Sequence, residues 1–414
     1  MIKGKSISLV FCLSLILFTI SSAFAASVDG KASTQKNDKV FYIFGCAGSY
    51  KKVDISTGRI LAEGMVGNIE PMSRFDGCPL ESVLEDPDSG MIYALVTEDQ
   101  FMNAESKQHY SIIALKNYNL AITAKHEIEI ALESIPDLYF DPSKHELVLH
   151  YYKTDIQSEE NIGVLERYSP SNLTKISTQE NFHLAGQVNR FNKRGEIYEG
   201  SRILDANGKE KKMVDGYSLL NDAIKDKFKK LYRPAVDGTP YLDITFADSS
   251  DGKMVFAVAW DIPSERSPNG GGVVVYDAFQ QQIISSFTTV YQITPSSMLQ
   301  GPTVHISPNG KLIVVEQYIW KKSKNARPDE VKLEFKTGKL AIYDADSGIQ
   351  KGTIILRPSP GFGGHVVNFS EDGRYLFYKS KNKVYVVDLN ALKILNAVRF
   401  KGDDPIKVLP AQIQ

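Results

Sequence analysis

The sequence predicts an all-β chain folded as a seven-bladed β-propeller of four-stranded blades, and three observations predict it. Short β-branched and aromatic runs recur along the chain in groups of four, separated by turn signals. The clearest group is residues 301–356, where the runs 303–306, 311–316, 339–344 and 352–356 are divided by Ser-Pro-Asn-Gly and Asp-Ser-Gly turns. Residues 361–400 repeat that grammar almost without insert. Length is the third observation. Without a 25-residue leader, 414 − 25 = 389 residues remain, or about 56 per unit over seven units, which suits four strands of about 5–6 residues plus turns. A six-bladed ring would require the irregular fourth unit to be a connector.

Residues 1–25 read as a secretory signal. Lys3 and Lys5 are followed by an apolar stretch at 7–20, then by Ala23-Phe24-Ala25 as a small-residue cleavage site. The apolar run is shorter than the ~20 residues a membrane-spanning helix needs. Residues 26–38 are polar and aperiodic and read as a disordered lead-in, leaving 39–414 as a single propeller domain. Removing the leader removes Cys12. Cys46 and Cys78 are left, an even pair expected in an exported protein to form a disulfide rather than stay as two thiols. Such a bond would close a loop worth about 3 kcal/mol.

The first unit shows only three strands, at 40–44, 50–55 and 60–66. The fourth is expected at the far end, where Gly402-Asp-Asp-Pro-Ile-Lys-Val408 resembles a blade opening with no partners after it. Pairing this segment with the first unit would seal the ring and remove two sheet edges that otherwise invite aggregation. The second unit has strands at 82–87, 91–96, 110–115 and 121–130, and the third at 137–142, 146–152, 163–168 and 173–180. The fourth is the least regular, at 186–191, 196–199, 201–205 and 212–214. Leu219, Leu220, Ala223, Ile224, Phe228 and Leu231 then fall at helical spacing, predicting an amphipathic helix over 218–232 that packs on the ring and ends at Pro234. The fifth unit runs 241–247, 254–260, 272–276 and 282–290.

Pro302-Thr-Val-His-Ile-Ser-Pro-Asn-Gly and Pro136-Asp-Leu-Tyr-Phe-Asp-Pro resemble blade openings of the YVTN family of seven-bladed propellers. So do Val53-Asp-Ile-Ser-Thr-Gly, Val274-Val-Tyr-Asp-Ala and Ala341-Ile-Tyr-Asp-Ala-Asp-Ser-Gly. The chain is also similar to the propeller (β- or heavy-chain) subunits of periplasmic quinoprotein amine dehydrogenases. That resemblance implies a periplasmic protein whose quinone cofactor, if any, sits in a partner chain.

Composition excludes some roles. The chain is 43% hydrophobic and 23% charged with a formal net charge of −1, which argues against a nucleic-acid binder. It holds no nucleophile elbow, phosphate loop, CxxC pair or HExxH motif, and its seven histidines are scattered. No catalytic residue, metal or cofactor is expected in this chain, the alternative being a self-contained hydrolase or lyase at the channel mouth that uses His305 or His365. The expected function is binding, since the longest inserts all fall on connections that reach one face of a propeller. Candidates at the channel mouth are Arg74, Asp76, Glu81, Asp137 and Gln187, together with Asp243, His305, Arg357 and His365. They are expected to bind a small polar ligand or seat a partner protein's tip, or else to serve only the backbone around them. Trp260 and Trp320 open two long inserts and are candidate partner anchors. Lys321, Lys322, Lys324, Arg327, Lys332 and Lys336 make the second of these inserts basic.

Overall fold

Period-two alternation puts successive side chains on opposite faces of a strand, so runs such as Phe41-Tyr-Ile-Phe44 can fill two inter-blade spaces at once. The computed structural model describes residues 36–67, 78–86, 88–98, 107–131, 136–154, 161–182, 190–192, 194–199, 202–214, 241–245, 252–259, 269–293, 303–322, 333–356, 365–380, 382–400 and 403–412. Every regular element among them is a β-strand, and no helix among them is long and apolar enough to cross a membrane.

The chain opens with β1 (Lys36–Gly45), β2 (Ser49–Asp54) and β3 (Arg59–Met65). Blade 2 comprises β4 (Leu80–Glu85), β5 (Ile92–Thr97), β6 (Lys107–Leu115) and β7 (Ile122–Ala131). Blade 3 comprises β8 (Asp137–Asp141), β9 (Glu146–Thr154), β10 (Asn161–Tyr168) and β11 (Lys175–Phe182). Blade 4 has short strands, β12 (Arg190–Phe191), β13 (Ile197–Glu199), β14 (Arg202–Leu204) and β15 (Glu210–Met213). Blade 5 is β16 (Tyr241–Thr245), β17 (Lys253–Ala259), β18 (Asn269–Asp277) and β19 (Gln282–Ile293). Blade 6 is β20 (Thr303–Ile306), β21 (Leu312–Lys322), β22 (Leu333–Asp344) and β23 (Gln350–Leu356). Blade 7 is β24 (His365–Phe369), β25 (Tyr375–Ser380), β26 (Lys383–Asp388) and β27 (Lys393–Arg399). The last strand, β28 (Pro405–Gln412), returns to β1 and becomes the inner strand of blade 1, in the order β28-β1-β2-β3. The fold is a seven-bladed β-propeller closed by its C-terminal strand.

Closure is held on both sides. In register, Ile43 faces Val408 and Phe44 faces Lys407. Asn368 of blade 7 accepts from the Val408 amide at 2.9 Å and donates to its carbonyl at 2.6 Å. Asn117 of blade 2, itself buried, donates to the Pro410 carbonyl at 3.0 Å and accepts from the Gln412 amide at 2.9 Å. Asp403 reaches back to the turn after β1, accepting from the Ala47 amide at 2.7 Å and the Ser49 hydroxyl at 2.5 Å. Gly45 is needed beside it, because a Cβ there would lie 2.1 Å from an Asp403 carboxylate oxygen.

The core sits between blades. Phe41 and Ile43 pack with Phe377, Val398 and Phe400 of blade 7, while Tyr42 and Phe44 pack with Leu80, Ile92 and Ala94 of blade 2. Comparable apolar wedges join blades 2 and 3, 3 and 4, 5 and 6, and 6 and 7. Each fully buried aliphatic or aromatic side chain contributes about 1.5–3 kcal/mol. Blade 5 also buries Met254, Phe256 and Val274 on the face opposite its wedge with blade 6, and two polar contacts join it to blade 4. Lys212 Nζ donates to the Tyr276 hydroxyl at 2.7 Å, and the Arg194 guanidinium lies 3.8 Å over the Phe279 ring.

The turns at one end of the ring are tight. Ser307-x-Asn309-Gly310 and Ser370-x-Asp372-Gly373 use the same device. The serine carbonyl accepts from the glycine amide at 2.8 Å, and the glycine takes a left-handed φ of 66° or 70°.

Two sequence boundaries shift. Residues 36–38, expected in the disordered lead-in, form the start of β1, where Lys36 aligns with Gln412 and so gains a backbone partner. Much of 318–337, expected as a loop, is ladder, with Tyr318 opposite Gly338, Trp320 opposite Phe335 and Lys322 opposite Leu333. Tyr, Ile, Trp and Phe favour an extended, paired backbone, so this hairpin continues beyond the blade. It also meets blade 5, since Gln292 and Ile293 pair in parallel with Tyr318 and Ile319. The expected leader at 1–25 and the expected helix at 218–232 lie outside the described residues.

Candidate functional site: the channel mouth

Inner strands β4, β8, β16, β20, β24 and β28 start at one end of the ring, and the second strand of each blade ends there. The connections of eight or more residues, at 66–79, 98–106, 214–240, 260–268, 294–302, 323–332 and 357–364, all leave from that end. The opposite end carries short ones such as 142–145, 307–311, 345–349 and 389–392. Elaboration is therefore one-sided, as the sequence predicts.

Four candidate side chains are described at this mouth, in two groups. On blades 2 and 3, Glu81 is the second residue of β4 and Asp137 begins β8. Glu81 accepts from the Thr97 hydroxyl at 2.9 Å. Burial pushes its pKa up, the Thr97 bond opposes this, and the Asp137 charge adds to the rise. Burial likewise raises Asp137, against a hydrogen bond from the Tyr139 hydroxyl. Neither carboxylate has an ion-pair partner among the described residues. Behind Asp137, directly across the β8–β9 ladder, stands His150. It is 2% exposed, burial lowers its pKa to about 4, and its Nε2 has no hydrogen-bond partner among the described residues. It is a neutral imidazole at physiological pH.

On blades 6 and 7, His305 Nε2 lies 2.8 Å from Glu316 Oε1, and the same oxygen accepts from the Val366 amide at 3.1 Å. Glu316 is buried and so ties β20 to the start of blade 7. His365 opens β24 opposite Lys379. Its ring keeps solvent contact, yet surrounding protein atoms and then the Lys379 charge lower its pKa, while Glu316 and Asp404 act the other way. Lys379 is ion-paired with Asp404, just ahead of the closing strand. By ring order the two groups face each other across the channel, with blades 4 and 5 between them on one side and blade 1 on the other.

Asp243 lies on β16 opposite Ala257, and Trp320 lies near the end of β21; the side chains of both are outside the described residues. Arg74, Asp76, Gln187, Arg357 and Trp260 also lie outside them. Cys46 and Cys78 form the expected disulfide, with Cα atoms 4.8 Å apart. It ties the turn after β1 to the approach to β4, where the Leu80 amide also donates to the Cys46 carbonyl at 3.1 Å.

Sequence reasoning missed His150, Glu316 and Lys379. A signal was present. Each is the fifth residue of its blade's second strand, in Glu146-Leu-Val-Leu-His150, Leu312-Ile-Val-Val-Glu316 and Tyr375-Leu-Phe-Tyr-Lys379. An ionisable residue ending an otherwise apolar run marks the level at which a blade meets the mouth.

One other cluster lies at the opposite end. His145 Nε2 is 3.4 Å from Asp86 and its Nδ1 is 3.5 Å from Asp88, so one imidazole bridges two carboxylates across blades 2 and 3. Asp86 is already bonded to the Asp88 amide at 2.9 Å and the Ser89 hydroxyl at 2.5 Å. The arrangement is an inter-blade clasp.

No protein-family model matches the sequence, and no curated protein does. Among solved structures, the dihydro-heme d1 dehydrogenase NirN is 13% identical, with 89% of this chain and 74% of that chain covered and a TM-score of 0.42. The Pseudomonas aeruginosa periplasmic gluconolactonase PpgL is 9% identical, with 90% and 99% covered and a TM-score of 0.46. A putative 6-phosphogluconolactonase from Bacteroides uniformis is 13% identical, with 90% and 99% covered and a TM-score of 0.45. Likeness at this level transfers no activity. The fold assignment rests on this chain's own sheet order, in which β28 completes the first of seven blades.

Proposed function

We propose that the protein is an exported, non-catalytic binding scaffold that engages a small polar ligand or a partner protein at the long-connection face of its channel. The observation that carries this reading is the pairing of one-sided elaboration with ionisable groups set on the rigid inner strands at the same end. A rigid frame presenting variable connections is how propellers and other scaffolds host binding. The Cys46–Cys78 disulfide supports export to the periplasm or beyond, because such bonds persist in oxidising compartments. Trp320 and the basic run 321–336 are the proposed anchors for a protein partner, with Trp260 beside the fifth blade.

A second reading is favoured by the blade openings, which resemble YVTN repeats and quinoprotein amine dehydrogenase propeller subunits. In it, the chain is the cofactor-free subunit of a periplasmic oxidoreductase. One experiment separates the two. The mature protein is used to capture material from its native exported fraction, and the captured material is scanned for visible absorbance. The scaffold reading expects a colourless ligand or partner whose capture falls on Trp320→Ala or on neutralising Glu81 and Asp137. A small coloured subunit carrying a quinone or haem would establish the second reading, and a chain that captures nothing would overturn both.

A further inference from the structure

Deepening the scaffold reading and resting on it, we propose that the mouth end of the wedge between blades 2 and 3 binds a neutral hydroxylated ligand, a sugar or polyol, through Glu81, Ser82 and Gln108. Strand register puts these side chains together. Glu81 stands at a β-bulge, between Leu80 opposite Val96 and Ser82 opposite Leu95. Leu80 and Val96 pack toward blade 1 and Leu95 packs toward blade 3, so beyond the bulge the strand presents Ser82 to blade 3. Glu81 Oε1 accepts from the Thr97 hydroxyl at 2.9 Å, and Thr97 lies directly across from Tyr110, a member of the same wedge. The Tyr110 hydroxyl donates to Gln108 Oε1 at 2.8 Å, and Gln108 lies across from Ile130 of that wedge. One polar seam therefore caps the apolar wedge where it reaches the mouth, and the bulge re-aims the inner strand into it.

The seam does not satisfy itself. Only three buried side-chain polar atoms among the described residues lack a hydrogen-bond partner, and two of them, Ser82 Oγ and Gln108 Nε2, lie on this one face. Gln108 is 3% exposed, so bulk water does not answer its amide. Glu81 has no ion-pair partner among the described residues. Elsewhere the fold treats buried carboxylates differently. Asp141 is 0% exposed and meets the Arg167 guanidinium at 2.8 Å, and Glu166, 4% exposed, meets Lys175 at 2.6 Å. Buried polar atoms are almost always satisfied, so two orphans beside an unanswered carboxylate indicate a polar guest.

The chemistry of the guest follows from the three groups. The Gln108 amide nitrogen only donates, the Glu81 carboxylate only accepts, and the Ser82 hydroxyl does either. A metal cation or an alkylammonium would meet Glu81 but leave the Gln108 donor unanswered. A carboxylate or phosphate would meet Gln108 and be repelled by Glu81. Adjacent hydroxyls answer all three. One donates to Glu81, its neighbour accepts from Gln108, and either can reach Ser82. The C–H surface between them packs on the apolar wedge below, the combination of apolar wall and few convergent polar groups that small-molecule sites share.

The test is a saturation-transfer NMR titration of the mature full chain with D-glucose, D-mannitol and myo-inositol, with 1,4-diaminobutane, succinate and acetamide as cationic, anionic and amide counterparts. At least one hydroxylated probe should bind and the counterparts should not. Ser82→Ala should weaken that binding about fivefold, the loss of one neutral hydrogen bond, and Glu81→Gln about tenfold or more, the loss of a charge-assisted one. Because the Ser82 hydroxyl has no protein partner, Ser82→Ala should leave the melting temperature of the free protein unchanged, and circular dichroism confirms that each variant is folded. Binding unchanged in both variants overturns the site. So does a Ser82→Ala protein that melts lower yet binds as before, since the hydroxyl then serves a fixed water inside the fold. If the hydroxylated probes fail while a counterpart binds or the native fraction yields a partner, the hydroxylated-ligand assignment falls and the scaffold reading stands. If no probe binds and no partner is captured, both fall.

Discussion

Asp403 offers the sharpest test of how the ring is kept shut. Its carboxylate accepts from the Ala47 amide at 2.7 Å and the Ser49 hydroxyl at 2.5 Å, and more weakly from the Ser49 amide at 3.3 Å. These bonds join residues more than three hundred positions apart and immediately precede the closing strand. Replacing Asp403 by Ala removes two strong bonds to a charged acceptor, each worth about 1.5–3 kcal/mol, and the site is only partly buried. Taking the lower value for each gives a loss of about 3 kcal/mol. Unfolding entropy of about 2.1 cal/mol/K per residue over the ring amounts to about 0.8 kcal/mol/K, so the melting temperature should fall by about 4 °C. Hydrogen exchange should locate the effect, with the amides of Val408 and Leu409 losing protection before those of blades 2 and 3. Gly45→Ala places a Cβ 2.1 Å from the Asp403 carboxylate and 2.6 Å from the Phe400 ring. It should destabilise the natural protein more than it destabilises Asp403→Ala, because half of its clash is then gone. A fall in melting temperature below about 1 °C, with β28 protection unchanged, would refute the view that this carboxylate latches the ring.

Two further outcomes are expected. Reducing the disulfide, or making Cys46→Ser with Cys78→Ser, releases a loop of sequence separation 32. It should cost about 3–4 kcal/mol and lower the melting temperature by about 4–5 °C; identical reduced and oxidised melting curves would contradict this. Glu81→Gln and Asp137→Asn should raise stability at neutral pH although they remove charges from the proposed site. The folded-state pKa of each carboxyl lies above its unfolded value, so the native state binds more protons in that window and stability falls as pH rises through it. The gain should therefore be largest near pH 7 and vanish below about pH 4, where both states are protonated; a pH-independent loss of stability would contradict the assigned burial.

Sequence alone settled whatever depends on near neighbours. The strand runs, the Asn-Gly and Asp-Gly turns, the missing fourth strand of the first unit and its replacement from 402–408 all follow from local periodicity and from the need to pair sheet edges. The Cys46–Cys78 pair and the one-sided placement of long connections were also readable, because alternating strand direction sends every second connection to the same end. Side-chain partners across blades were not. Whether Glu81 meets a lysine or another carboxylate depends on how neighbouring blades set against each other, and Asp137 lies 56 positions away along the chain. The same holds for Glu316 on His305 and the Val366 amide, for Asn368 and Asn117 on the closing strand, and for Asp403 on the turn after β1. Backbone pattern is fixed by residues two to four apart, whereas charge balance at the channel mouth is fixed by ring closure, which brings the two ends of the chain into one sheet.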